Sequence, residues 1–384
     1  MPLSLVTYTY NDHDFALDLL KTVPSFARPD EIIVVDDGSA VPFPAPEGVR
    51  VVRSEGNRGP AQAKRLGIGA ARGDIVLSLD CDIRPHRRWI HNALPLLADP
   101  KVALVGATII PALADNYLSR ALHRLARPAR TNHSADFVSA GCWLLRRALW
   151  SAFGGLDGYG GTTHEDAWFS LAAARAGFVL MRADRYPVYE KRRLHRLQYW
   201  RRKMAYTLTE RFCVAMRDHD ARAAAMLRGH LEKALRYGRE SGEMAFLYIE
   251  LVKMVAFAAR SLEKASRYAR GPEDGAGQKA GANDCPVSEN LTPGGAIAAA
   301  LRFFRPYPAI SALMREDLAA LGFPPAGAED GAPSFSYLES MFTAAVPKEA
   351  LTELDASWPE KLRREDMEKR YDFHYLSPGV ASEG

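Results

Sequence analysis

The 384-residue sequence predicts an α/β protein, with a mostly parallel sheet flanked by helices and a mainly helical C-terminal region after it. Three observations carry that expectation. Short apolar runs alternate with segments of helical spacing through the first half of the chain. Acidic clusters follow directly on two of those runs. After about residue 190 the strand-like runs give way to longer amphipathic segments.

Leu3–Tyr8 is a short apolar run, and Phe15, Leu19, Leu20 and Val23 then recur at helical spacing. Glu31–Val35 is rich in β-branched residues and ends at Asp36-Asp37-Gly38-Ser39, a turn composition. Val49–Arg53 reads as a third strand. Ala61–Arg72 is Ala-rich and helical, with Gly73 in position to close it as a C-terminal glycine. Ile75–Leu79 is a buried strand running into Asp80-Cys81-Asp82, and Val102–Ile110 and Phe137–Leu145 add two more. Farther on, Leu197, Trp200, Met204, Leu208 and Phe212 share one helical face, and Met244–Arg270 reads as a long helix. The expected division is an α/β domain over 1–195, a helical extension over 196–270, a flexible linker over 271–295 and a helical region over 296–384.

Composition narrows the function classes. With 47% hydrophobic and 25% charged residues, the chain has the balance of a globular protein with a full-sized core. A formal charge of +4 and the lack of a recognisable aromatic stacking module argue against nucleic acid as a partner. Cys81, Cys142, Cys213 and Cys285 form no CxxC spacing, which fits reduced thiols in a cytoplasm. The N-terminus enters a strand at once, without the basic and apolar regions of a secretory signal. Met244–Ala259, the longest apolar run, contains Glu250 and Lys253 and is too short to span a bilayer. The expected location is therefore cytoplasmic, at most peripheral at the inner face of a membrane.

Asp-x-Asp occurs three times, at Asp12/Asp14, Asp80/Asp82 and Asp218/Asp220, in a chain with 24 aspartates. Chance supplies about one or two such triplets, so the motif alone decides nothing. Its position does. Only Asp80/Asp82 follows a β-run, and ligands of parallel sheets bind beyond the carboxyl ends of the strands. Carboxylates there suit Mg²⁺ or Mn²⁺, which take hard oxygen ligands together with substrate phosphates. The structural alternative is a solvated acidic turn.

Five segments occur in one order: Thr9-Tyr10-Asn11, Val34-Val35-Asp36-Asp37-Gly38-Ser39, Leu79-Asp80-Cys81-Asp82, Gly154-Gly155-Leu156-Asp157 and His164-Glu165-Asp166. In that order they resemble glycosyltransferase family 2, with its GT-A fold, over roughly residues 1–195. The resemblance implies an inverting, metal-dependent sugar transfer, and the lack of the transmembrane helices and Gln-x-x-Arg-Trp motif of the family's processive synthases favours addition of a single sugar. The donor would be a nucleoside-diphosphate sugar, by default a UDP-sugar, and the acceptor a hydroxyl of a glycan, a lipid-linked or a protein acceptor. It implies that Thr9, Tyr10 and Asp37 meet the nucleotide, Asp80 the ribose or donor sugar, and Asp82 the metal. Asp166, paired with Glu165, would be the general base. The same two carboxylates also suit the first turn of a helix, whose dipole favours negative charge.

Two departures from the family pattern matter. Where the family reads Ala-Arg-Asn-x-Gly, this chain has Ala63-Lys64-Arg65-Leu66-Gly67. Lys64 and Arg65 can face the diphosphate; otherwise they are solvated helix charges, Lys64 first. Where many relatives place a metal-binding histidine, the chain reads Val188-Tyr189-Glu190-Lys191-Arg192, so Glu190 or the later His195 is the candidate ligand. Nine Lys/Arg lie between Arg182 and Lys203. Such a run is most simply a solvated face, but it also suits a diphosphate, a lipid phosphate or an anionic membrane surface. The region beyond residue 200 is left to shape the acceptor site or a homodimer contact.

Other classes fit less well. The first turn, Tyr8-Thr9-Tyr10-Asn11-Asp12, lacks the glycines of a dinucleotide-binding fold and the Gly-rich basic loop of a nucleotidyltransferase. A nucleotide-sugar-binding scaffold without catalysis is the remaining rival.

Overall fold

The computed structural model describes residues 1–112, 116–126, 128–159, 164–192, 195–207, 221–265, 293–323, 342–343 and 346–368. The contact pattern divides the chain into two units: Met1–Ala114 with Leu122–Arg193 and Tyr375–Gly384, and Asp115–Ala121 with Leu194–His374. The expected 271–295 linker lies almost wholly outside the described residues, as do Leu208, Phe212, Cys213, Asp218, Asp220 and Cys285.

The first unit is built on an eight-stranded sheet of order β3-β2-β1-β4-β9-β6-β10-β8. Its strands are β1 (Leu3–Thr9), β2 (Glu31–Asp36), β3 (Val49–Arg53), β4 (Ile75–Asp80), β6 (Val102–Gly106), β8 (Asn132–Ala135), β9 (Cys142–Arg146) and β10 (Val179–Ala183). β1 pairs in parallel with β2 and β4, β2 with β3, and β6 with β10. β9 runs antiparallel between β4 and β6, and β8 closes the edge antiparallel to β10.

The central strands are apolar on both faces because helices cover both. On one side Leu5, Leu77 and Leu144 pack with Leu19, Val23 and Phe26 of α1 (His13–Phe26) and with Trp89 and Ile90 of α3 (Trp89–Ala93). On the other, Val6, Ile33 and Val76 pack with Ala61 and Ile68 of α2 (Pro60–Ala70), and Phe169 of α6 (Glu165–Arg175) joins Trp143 and Trp150. Each fully buried aliphatic or aromatic side chain is worth roughly 1.5–3 kcal/mol over its exposed state.

Three details differ from expectation. Val102–Ile110 is not one strand. β6 stops at Gly106, Thr108 is held by Asp184 through its N–H and hydroxyl, both at 2.7 Å, and β7 (Ile109–Pro111) enters a second sheet. Phe137–Leu145 forms a strand only from Cys142. Gly73 is not a left-handed helix cap. A Cβ there would meet Ser4 Oγ at 2.6 Å and the Pro2 carbonyl at 2.8 Å, so close backbone approach is what requires glycine.

The second sheet, β5-β11-β7, pairs β5 (Ile83–Pro85) with β11 (Val188–Glu190) antiparallel and β11 with β7 in parallel. It continues directly from the Asp80-Cys81-Asp82 turn. Glu190 lies opposite Ile83, and Lys191 N–H donates to the Asp82 carbonyl at 2.7 Å.

The second unit contains α7 (Arg196–Thr207), α8 (Ala221–Ser241), α9 (Ala245–Ala265), α10 (Pro293–Phe303), α11 (Pro308–Ala320) and α12 (Lys348–Glu368). The described helices pack around α9, on which Ala245–Ala259 are all buried. Glu250 and Lys253, the charges interrupting that run, bond each other, and Tyr199 OH donates to Glu250 at 2.8 Å. No helix among the described residues is long and apolar enough to cross a membrane.

Candidate active site

The carboxyl ends of β1, β2 and β4 bring most of the expected residues to one edge of the sheet. At the β2 end, Asp36 is fully buried and accepts from Ser39 N–H at 2.9 Å, Phe43 N–H at 3.0 Å and the Arg53 guanidinium. Burial works against its charge, but these donors prevail and hold its carboxyl below the usual range. Asp37 is also buried, and accepts from Arg58 N–H at 3.1 Å and Gly59 N–H at 2.8 Å. Its carboxylate thus braces the loop that leads into α2.

Gly38, at φ +75°, takes the left-handed turn between Asp37 and Ser39. Asn11, at φ 55°, receives Ala40 N–H on its side-chain oxygen and donates its own N–H to Ser39 Oγ, both at 2.9 Å. The two turns are therefore cross-tied. Thr9 is buried with its hydroxyl 3.2 Å from His13 Nδ1, while Tyr10 is 45% exposed and open to a ligand.

Lys64 is not a solvated helix charge; it is 1% exposed. Its ammonium lies 2.9 Å from Asp80 Oδ1 and 3.2 Å from Glu165 Oε1, above the Tyr8 ring at 4.6 Å from the centroid. Burial alone would lower its pKa, but Asp80, Tyr8 and Glu165 hold it well above the usual lysine value. Asp80 behaves oppositely to a simple ion pair. Burial pushes its carboxyl up, Lys64 opposes that, and Asp82 and Glu165 add to it. Asp80 still keeps 36% of its side chain exposed, so it faces outward while anchored from below.

Asp82 is buried, and its Oδ2 accepts from Arg192 Nε at 2.7 Å. The same guanidinium reaches Asp12 Oδ2 at 2.6 Å and covers the Phe15 ring at 4.9 Å. Next to it, Lys191 and Arg84 share Asp18, at 3.0 and 2.6 Å. The segment after β11 is thus pinned to α1 and to the Asp80-Cys81-Asp82 turn by two successive cations. Burial and the neighbouring carboxylates push the Cys81 thiol up, which favours its protonated form.

Asp166 stands in the first turn of α6, beside buried Glu165. Its Oδ1 accepts from Ala167 N–H at 2.9 Å and its Oδ2 from Ala140 N–H at 3.4 Å. One residue on, the Gly141 carbonyl accepts Asp80 N–H at 3.0 Å. The loop 138–141 therefore links the helix carrying Asp166 to the strand carrying Asp80, and Lys64 links the side chains of Asp80 and Glu165.

Of the remaining candidates, Arg65 pairs with Asp157 at 2.9 Å on the surface and takes no part in the Lys64 cluster. Glu190 has its backbone beside the Asp82 turn, and His195 belongs to the second unit. Among the described residues no group of three or more His, Cys, Asp or Glu side chains is gathered as a metal cage. The donor chemistry of the turn nevertheless fits a hard divalent cation. Asp80 Oδ2 and Asp82 Oδ1 make no hydrogen bond to the protein among the described residues, and Mg²⁺ or Mn²⁺ completes its shell from water and phosphate.

Arg192 and the depth of Lys64 are what the sequence left unseen. Lys64 follows Ala61 by three residues and precedes Ile68 by four, which puts it on the apolar face of α2 and is a usable signal. Arg192 had none, because its position depends on the pairing of β11 with β5.

Residues 4–153 match the model of Glycosyl transferase family 2. The pre-mycofactocin glycosyltransferase of Mycobacterium tuberculosis is 29% identical over 153 residues, covering 36% of this chain and 33% of that protein. The succinoglycan biosynthesis protein ExoO of Rhizobium meliloti is 46% identical over 73 residues, 16% of this chain and 21% of that protein. The match thus spans about a third or less of the length of these curated relatives. Among solved structures, a mannosyltransferase of Pyrobaculum calidifontis in complex with GDP-Man and Mn²⁺ aligns at 20% identity and TM-score 0.43, over 83% of this chain and 86% of that one.

Proposed function

We propose, from the match of residues 4–153 to Glycosyl transferase family 2, that the protein transfers a single sugar from a nucleoside-diphosphate sugar to an acceptor hydroxyl with inversion. The observation that carries the proposal is the Lys64 bridge. One buried ammonium ties Asp80, on the donor side, to Glu165, beside the candidate base Asp166.

In the proposed reaction Asp166 takes the proton of the acceptor hydroxyl, whose oxygen attacks the anomeric carbon. The bond from that carbon to the diphosphate oxygen breaks, and the nucleoside diphosphate leaves with the electron pair. Asp166 suits this role because a carboxylate oxygen can accept a proton within hydrogen-bond reach, and Ala140 and Ala167 N–H fix both its oxygens. Thr9, Tyr10 and Asp37 line the nucleotide end. Asp80 and Asp82 would hold Mg²⁺ or Mn²⁺, which when bound neutralises charge on the leaving diphosphate. Arg192 supplies positive charge at the same turn. UDP is the first nucleotide to test, and a glycan, a lipid-linked or a protein hydroxyl the acceptor class.

A thermal-shift screen of nucleoside diphosphates and nucleotide-sugars with Mn²⁺ tests the reading, since a ligand binding only the folded state raises its Tm. One nucleotide class should raise the Tm of the wild type and not of Asp82→Ala, and its sugar derivative should be turned over to the nucleoside diphosphate. Binding without turnover would favour the scaffold, and pyrophosphate release would favour a nucleotidyltransferase.

A further inference from the structure

On α6, where Phe169, Ser170 and Ala173 are buried, Trp168 is 46% exposed. A single exposed aromatic residue is unremarkable. Its setting is informative. Side chains on a helix lean toward its N-terminus, so Trp168 covers the turn that begins at His164 and Glu165 and holds Asp166. Its ring lies against Tyr159, with centroids 5.4 Å apart and planes at 44°. Burial and the charges of Glu165 and Asp166 push the Tyr159 phenol up, which puts those carboxylates within its electrostatic reach.

The turn carrying Tyr159 is also fixed. Gly154, Gly155 and Gly158 take positive φ, and Tyr159 N–H donates to the Leu156 carbonyl at 3.1 Å. From α2, Gln62 Nε2 donates to the Tyr159 carbonyl at 3.3 Å, and Arg65 pairs with Asp157 at 2.9 Å. An aromatic pair thus stands on a braced turn and on the helix of the candidate base, its indole half in water.

We propose that Trp168 and Tyr159 form an acceptor subsite that stacks one pyranose ring of a glycan acceptor and presents its hydroxyl to Asp166. The apolar C–H face of a pyranose matches the indole face, and its equatorial hydroxyls remain free for water and for the nearby carboxylates. A fixed platform reduces the orientational freedom the acceptor must lose before attack. It also narrows the acceptor class from any hydroxyl to a carbohydrate. The subsite rests on the glycosyltransferase reading, and the two separate experimentally because sugar binding needs no donor.

The test is saturation-transfer NMR on the full chain with cellobiose, maltose, lactose and N,N′-diacetylchitobiose, alongside donor hydrolysis by water. At least one disaccharide should receive saturation from the wild type. Trp168→Ala should weaken it about tenfold and Trp168→Phe should recover part of the loss, since aromatic stacking is worth this order. No binding of any of the four sugars, or equal binding by Trp168→Ala, would overturn the subsite. Sugar binding as expected without donor turnover by the wild type would overturn the transferase reading instead.

Discussion

Replacing Lys64 by Met would leave Asp80 and Glu165 as two neighbouring carboxylates without their shared cation. Breaking a buried pair from one side costs about 3–5 kcal/mol, so a large fall in Tm is expected together with loss of activity. Lys64→Arg should keep part of the stability, yet lose activity because a planar fork does not sit where the ammonium does. Arg192→Ala makes a different prediction. Its guanidinium occupies one oxygen of Asp82, so removing it should tighten Mn²⁺ binding by the donor-free protein, read by titration of the Mn²⁺ EPR signal. Unchanged or weaker binding would mean that Arg192 does not compete at Asp82. Lys64 was half legible in the sequence, since the helical period puts it on the buried face. Its partners were not, because they come from β4 and α6, 16 and 101 residues away.

At the scale of elements, two glycines of α2 should respond oppositely to alanine. A Cβ on Gly67 would lie 2.4 Å from Val6 Cγ1 and 2.9 Å from Val35 Cγ2, whereas one on Gly69 would meet nothing within 4 Å. Alanine favours a helix over glycine by about 1 kcal/mol, while overpacking costs about 1–3 kcal/mol. Gly69→Ala should therefore raise the Tm, and Gly67→Ala should lower it. Equal shifts would show that α2 does not rest on β1 and β2 that closely. The strands β2 and β4 were readable because apolar runs end in acidic turns, and β1 and β3 because short β-branched runs alternate with helical segments. Val102–Ile110 misled because Gly106, where the chain leaves the sheet, sits in a run whose only polar side chain is Thr108. Gly73 misled because a helix-ending glycine and one required by a neighbouring backbone look alike in sequence.

For the whole molecule, acid sensitivity follows from the carboxylates of the first unit. Asp18, Glu31 and Asp36 are each held below their ordinary values of 3.8, 4.5 and 3.8, burial opposing and hydrogen bonds or ion pairs prevailing. A depressed folded pKa means that the unfolded chain takes up the proton first. Their stabilisation is therefore complete above about pH 5 and is lost as the pH falls through the unfolded and then the folded values. The Tm should fall steeply below about pH 4, and Asp36→Asn should flatten that limb. An unchanged limb would remove Asp36 from the account. The sheet edge that collects Asp37, Asp80, Asp82 and Asp166 was legible from order and strand position, but the cations that organise it were not.

The claim that this edge is catalytic rests on Asp166. Its most direct test is the turnover of the nucleotide-sugar found in the binding screen, measured for wild type and Asp166→Asn. The amide keeps the shape and removes the base, so the rate should fall by at least about a hundredfold with donor binding unchanged. Wild-type turnover by Asp166→Asn would contradict the account.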